Sequence, residues 1–310
     1  MIVDWKAAGP GRRQGRLDTG GPEEIPVWEV HSGRPGPTLV VTAGVHGCEY
    51  VGIQALRVLY RRLEPAALRG RLLLLPLLNA RGFYAGAKGV VPEDGKNLNR
   101  VFPAPAGGTA AERIAHAVEA ALYPQADFLL DLHGGEVNEA MAPLVFFPAQ
   151  AAPEVTARAR AAAACLAVGY RIPSTARDGL YSWAAQRGVP ALLQEVGYGG
   201  LWTREQVEQV LAGIDSLLGH LGMGGEARPN AAQREALEAC YRTAEADGFW
   251  EPQVRPGQAV AEGQLLGVLS DLEGRPLQRL TAPWDGVVLY HTVGLGVEAG
   301  SPLLALGRFA

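Results

Sequence analysis

The chain is poor in cysteine: Cys48, Cys165 and Cys240 are the only ones in 310 residues. An odd, scattered set excludes a disulfide framework and points to a reducing cytoplasm. Lysine is equally scarce. Only Lys6, Lys88 and Lys96 occur, and arginine supplies the rest of the positive charge. That bias fits base composition or heat tolerance alike. Long apolar runs are missing too. The longest, LLLLPLL and AAAACLAV, fall well short of the ~20 residues that span a bilayer. No apolar segment follows the initiator methionine, so no secretory signal is expected. Net charge is −4 with both signs interspersed, which gives no reason to expect a nucleic-acid or anionic-membrane partner. What is plentiful is apolar residues, 48% of the chain, ample for one large domain or two. A homo-oligomer is compatible with this composition.

The central stretch is Gly44–Gly52, GVHGCEYVG. Before it, TLVVTAG has the β-branched character of a buried strand. After it, YVGIQALRVLYRRL places Ile53, Leu56, Leu59 and Leu63 on one helical face. The motif therefore lies where a strand turns into a helix, the edge of an open α/β sheet at which ligands bind. His46 and Glu49 stand three residues apart and can reach one point. His133 ends a second buried strand, DFLLDLH, and is also followed by glycines. Two imidazoles and a carboxylate leave a fourth position open, the arrangement of a catalytic rather than a structural zinc site. By itself an HxxE pair is a common chance occurrence; its placement at strand ends makes it informative. Cys48, one residue before Glu49, should point away and act as a small buried residue.

The remainder reads in order. The segment to about Glu24 is polar and glycine-rich, hence peripheral. IPVWEV and RLLLLPLL are strands, and His31 lies in a surface turn. A long irregular segment runs from Phe83 to Gly108, and connections of that length are often functional. Thr109 and Glu112 form a capping box for the next helix, which holds His116. PLVFFPA is a strand, and Pro153 opens a helix that extends to about Tyr170. VPALLQEV is a strand ending on Glu195. Thr203 caps a long helix with His220 near its end. Strands alternating with helices imply a mainly parallel mixed sheet with helices on both faces. Near residue 225 the texture changes to short strands and turns, giving a catalytic domain over 1–225 and a small all-β domain over 226–310. That domain resembles the barrel-sandwich hybrid of lipoyl and biotinyl carriers. It contains no lysine, so it cannot be loaded as they are.

Glu195 is placed to take a proton from a metal-bound water and return it to a leaving nitrogen. Asn99 and Arg100, after the long segment, offer a donor and a planar cationic fork that suit a substrate carboxylate.

In order, His46-Gly47-x-Glu49, Asn97-Leu98-Asn99-Arg100-x-Phe102-Pro103, Asp131-Leu132-His133-Gly134-Gly135 and Glu195-x-Gly197 resemble the succinylglutamate desuccinylase/aspartoacylase family, a relative of the zinc carboxypeptidases. The resemblance covers about residues 25–225, and a trailing β domain also occurs in that family. It implies one Zn2+ per chain on His46, Glu49 and His133, Glu195 as general acid/base, and Asn99 with Arg100 as carboxylate clamp. The implied substrate is a small N-acyl amino acid. Two departures stand out. Gly86-Ala87-Lys88 replaces a Gly-Thr-Arg segment, so Lys88 takes the oxyanion role as a point charge. Asn97 replaces an aspartate that orients a zinc-binding histidine from behind, with a neutral carbonyl in its stead. A peptide-cleaving zinc carboxypeptidase and a non-catalytic metal- or ligand-binding protein are the rival readings.

Overall fold

The computed structural model describes residues 9–310; Lys6 lies outside them. Strands β1 (Gly11–Asp18) and β2 (Glu24–His31) form a hairpin. Then follow β3 (Thr38–Ala43), α1 (Tyr50–Arg62), β4 (Arg71–Leu75), α2 (Ala80–Ala85), α3 (Ala110–Leu122), β5 (Phe128–His133), β6 (Glu139–Met141), β7 (Leu144–Pro148), α4 (Pro153–Ala163), β8 (Tyr170–Ser174), α5 (Leu180–Gln186), β9 (Ala191–Glu195) and α6 (Arg204–His220). The rest is all β: β10 (Arg234–Thr243), β11 (Gly248–Pro252), β12 (Ala259–Val260), β13 (Leu265–Ser270), β14 (Pro276–Thr281), β15 (Gly286–Thr292), β16 (Gly296–Val297) and β17 (Pro302–Phe309).

A 13-stranded sheet runs β1-β2-β4-β3-β5-β9-β7-β8-β10-β17-β15-β12, with β6 paired to β15. It is mixed. Parallel pairing holds β4, β3, β5 and β9 together at its centre and recurs at β7–β8 and β8–β10. The flanks are antiparallel. A second, four-stranded antiparallel sheet has the order β14-β13-β11-β16. From β3 the chain adds β4 on one side and then β5 on the other, so the strand order reverses at β3/β5. Such a switch point leaves a crevice outside the strands' C-terminal ends.

The core follows the two-residue strand period. Leu39, Val41 and Ala43 of β3 pack with buried residues of α1, α4 and α6. Val40 packs with α3 and α5. The first stretch of chain lies at the periphery, as its composition suggests, and within it Gly11–Asp18 form strand β1, which that composition does not show. Its pattern hides this, because β1 is an edge strand with only Leu17 buried and the rest polar or glycine. The helix from Pro153 is also shorter than expected and stops at Ala163.

No break in the sheet accompanies the change of texture near residue 225. β10 continues it by pairing Arg234 with Tyr170 and Glu235 with Arg171 of β8. Beyond β10, the end of the large sheet and the small sheet share a core around Trp250, Leu269, Val288 and Leu306. Trp250 is 1% exposed and donates Nε1–H to Thr292 O at 3.0 Å. Trp250→Ala should therefore cost ~3–5 kcal/mol through lost burial and the cavity left behind. Denaturant unfolding checks this; a loss below ~1 kcal/mol would show that this core contributes little.

Candidate active site

Three adjacent parallel strands deliver the chemistry to one edge. In β5 and β9, His133 stands directly opposite Glu195. In β3 and β5, Thr42 stands opposite Asp131. His46 lies in the turn after β3, and Glu49 is the residue that opens α1. The turn itself is tight. Glu49 N–H donates to His46 O at 3.3 Å, and a Cβ on Gly47 would sit 2.2 Å from the Phe83 amide. Only glycine lets this backbone lie against α2.

The ligand atoms of His46, Glu49 and His133 all lie within 4.8 Å of one another. His46 Nδ1 is 2.7 Å from Glu49 Oε1, and His133 Nδ1 is 2.9 Å from Glu49 Oε2. The opposite ring nitrogens are held from behind. His46 Nε2 is 3.1 Å from Asn97 Oδ1. That oxygen also accepts the Asn99 N–H at 2.8 Å, which fixes how the amide is turned. His133 Nε2 is 3.0 Å from Asp131 Oδ2, and Asp131 Oδ1 accepts Thr42 Oγ1–H at 2.6 Å. Both Nε2 atoms must therefore donate, which leaves both Nδ1 lone pairs of the neutral rings aimed at a carboxylate. Such an electron-rich centre needs a positive charge. Protons can supply it: burial opposes the imidazolium, but Glu49 beside His46, and Asp131 with Glu49 beside His133, outweigh burial and raise both rings. Burial also opposes the charge of Glu49, yet the two histidines hold its carboxyl at about 2. A metal ion meets the same need, and the donor set suits zinc.

Beside this cluster is a cavity of about 660 Å³ lined by His46, His133, Glu195, Asn99, Arg100 and Tyr181. Glu195 Oε2 is buried without a hydrogen-bond partner. Burial, with Glu49 and Glu139 adding repulsion, lifts its carboxyl to about 8. Asn99 is 5% exposed, and its Oδ1 accepts the Leu180 N–H at 2.9 Å, so its amide N–H groups remain to donate. Arg100 Nη1 donates to Asn99 O at 2.8 Å.

Lys88 is exposed and does not line the cavity; its charge acts instead on Glu136 and Glu139. Cys48 is fully buried, and burial first, then Glu136 and Glu49, push its thiol to about 11. It is not among the residues whose donor atoms converge with those of His46, Glu49 and His133. His31 and His116 make local contacts away from the cluster. Sequence reasoning overlooked Glu136, whose Oε1 lies 3.6 Å from His46 Nδ1. The position was visible, three residues after His133 as Glu49 is after His46. Also overlooked were Leu237, Glu238, Ala239 and Tyr241 of β10, which wall the cavity.

A profile of the succinylglutamate desuccinylase/aspartoacylase catalytic domain matches residues 35–221, more than half of the chain. The chain belongs to this family. A curated relative, the N-alpha-acetyl-L-2,4-diaminobutyric acid deacetylase of Halomonas elongata, is 32% identical over 294 residues, covering 92% of this chain and 85% of the relative. Among solved structures, the succinylglutamate desuccinylase/aspartoacylase of Rhodobacter sphaeroides superposes with a TM-score of 0.88 at 28% identity, over 99% of this chain and 98% of that one. The product-bound ectoine utilization protein of Ruegeria pomeroyi gives 0.87 at 26%, over 97% and 96%. Both overlaps include β10–β17, beyond the desuccinylase/aspartoacylase catalytic match, so the β10 wall belongs to a segment shared with these neighbours.

Asp131 fixes the His133 ring without lining the cavity. Asp131→Ala should lower the affinity for added Zn2+ by ~10–100-fold. Competition with a chromophoric chelator measures this, and wild-type affinity would remove Asp131 from that role.

Proposed function

We propose that the chain is a zinc-dependent hydrolase that cleaves the amide bond of a small N-acyl amino acid. The observation that carries this reading is the pair of inward Nδ1 atoms facing Glu49, beside a carboxylate with an unpartnered oxygen, Glu195. The deacetylase relative supports the reaction class. His46, Glu49 and His133 would hold the ion, with Asn97 and Asp131 keeping the rings in place. When bound, Zn2+ polarises the scissile carbonyl and lowers the pKa of a water molecule.

Glu195 takes the proton of the attacking water and hands it to the departing nitrogen. Its place opposite His133, lining the cavity with an oxygen that has no other partner, suits it to both halves of that transfer. Arg100 presents its fork to the substrate carboxylate while the Asn99 amide donates beside it. An oxyanion role for Lys88 would require its flexible stem to swing the ammonium in from the surface. Tyr181, 3% exposed, lines the cavity, whereas Tyr198 is 51% exposed and does not.

The rival reading is a carboxypeptidase. The wall formed by β10 favours a small substrate over a peptide chain, and Glu195 argues against a site that merely binds. No helix among the described residues is long and apolar enough to cross a membrane. All three cysteines are free thiols, which supports a reducing cytoplasm.

Purified protein should hold about one zinc per chain. Glu195→Gln should retain the metal and lose at least ~100-fold in kcat, read by amine release from N-acetyl amino acids. An unchanged kcat excludes Glu195 as the base. Arg100→Ala should raise KM far more than it lowers kcat for substrates bearing a carboxylate. If their amides, lacking that carboxylate, are hydrolysed equally well by the unsubstituted enzyme, the clamp is wrong. Tripeptides cleaved faster than N-acetyl amino acids would favour the carboxypeptidase.

A further inference from the structure

The cavity beside the His46–Glu49–His133 cluster lies where two strands part. β10 pairs with β8 through Arg234 and Glu235, which stand opposite Tyr170 and Arg171. Two residues further along β8 is Pro173, which has no N–H to carry a ladder on. Beyond the paired residues, β8 lines the cavity with Pro173 and Ser174, and β10 lines it with Leu237, Ala239 and Tyr241.

β10 changes register at the same point. Ala236 stands opposite Phe309 and Glu238 opposite Arg308 of β17, so Leu237 is one residue too many, a bulge. Bulges beside active sites re-aim side chains. Leu237 is 60% exposed and Tyr241 61%, so both offer apolar surface to whatever enters. Glu238, the charged residue of this wall, already has a partner: its Oε1 accepts Arg308 Nη1–H at 2.8 Å. The central sheet supplies matching surface. Phe146 of β7 and Leu193 of β9 are direct cross-strand neighbours, and both line the cavity. Leu193 precedes Glu195 by two residues and shares its face of β9, ~7 Å away along the strand. The lining thus joins a polar part, with Arg100, Glu195 and the two histidines, to an apolar part. At about 660 Å³ the cavity is of a size that takes drug-sized ligands, more room than an N-acetyl amino acid with a short side chain needs.

We propose that Leu237 and Tyr241, with Phe146 and Leu193, form an apolar subsite, and that the substrates are N-acyl amino acids bearing an extended aliphatic group on the acyl or the amine side. The proposal rests on the deacylase reading and narrows its substrate class. Each methylene that the subsite takes out of water strengthens binding, and Leu237 determines specificity because the bulge presents it to the ligand.

The test uses the full zinc-loaded chain and two substrate series that separate the sources of the apolar group. One keeps alanine and lengthens the acyl group from N-acetyl to N-butyryl and N-hexanoyl. The other keeps acetyl and lengthens the side chain from alanine to norvaline and norleucine. Along one series or both, kcat/KM should rise at least ~3-fold per added methylene. The gain should sit in KM, because the group bound is remote from the scissile bond. The series that rises identifies the group that enters. Leu237→Asn should cut the ratio of longest to shortest substrate at least ~5-fold, and Leu237→Met should restore it. Leu237 is exposed, so an unchanged Tm is expected of both variants. Hydrolysis of no member of either series would sink the deacylase reading and the subsite with it. Hydrolysis of N-acetylalanine with both series flat overturns the subsite alone. So does faster turnover of N-α-acetyllysine than of every apolar member, which would make Glu238 the recognising group. A rising series that Leu237→Asn leaves unchanged overturns the role of Leu237.

Discussion

Two imidazole nitrogens face one carboxylate inside the protein, and nearly everything around them serves to keep them there. Left to themselves, three electron-pair donors at such distances would turn apart or take up protons. They cannot turn, because Asn97 and Asp131 grip the far side of each ring. Those two are themselves held, by Asn99 N–H and Thr42 Oγ1–H. The centre is therefore preorganised by hydrogen bonds reaching back into the sheet. Its rigidity comes from strand register, since Thr42 and Asp131 are direct neighbours across β3 and β5.

The same register accounts for the carboxylate beside this centre. Glu195 is brought beside His133 by the pairing of β5 with β9. A slip of either strand by one residue would turn its side chain to the opposite face from the other's and dismantle the site. Burial then does two things at once. It leaves Glu195 Oε2 without a partner and lifts its proton affinity, and it leaves Glu136 Oε2 an orphan as well. Buried carboxylates without partners are tolerable only where they keep a proton or a positive charge lies among them.

The C-terminal strands are part of this arrangement. β10 hydrogen-bonds to β8 and places Leu237, Glu238, Ala239 and Tyr241 along the cavity. β15 pairs with β6, directly after the Glu136 turn. A segment with no carrier lysine thus borders the site from two directions. Its role as a wall follows from pairing alone, whatever its resemblance to cofactor-carrying domains.

Much of the site was legible in the chain itself. A histidine at the end of each apolar run, with glycines after it, marks bare backbone at a strand terminus, and period-two burial makes those runs strands. HxxE spacing and the isolated Glu195 were readable for the same reason. Other features had no local signature. β1 is polar because an edge strand need not bury both faces, so composition disguised it. Glu136 looked like any loop acid until folding buried it 3.6 Å from His46 Nδ1. That Lys88 stands exposed and outside the cavity lining was equally unreadable from its spacing. By itself the sequence determined which residue types stand at strand ends, because hydrophobic period and turn chemistry are local. Only the tertiary structure decided which ends meet and which acids lose their water, because register and burial arise from pairing between distant segments.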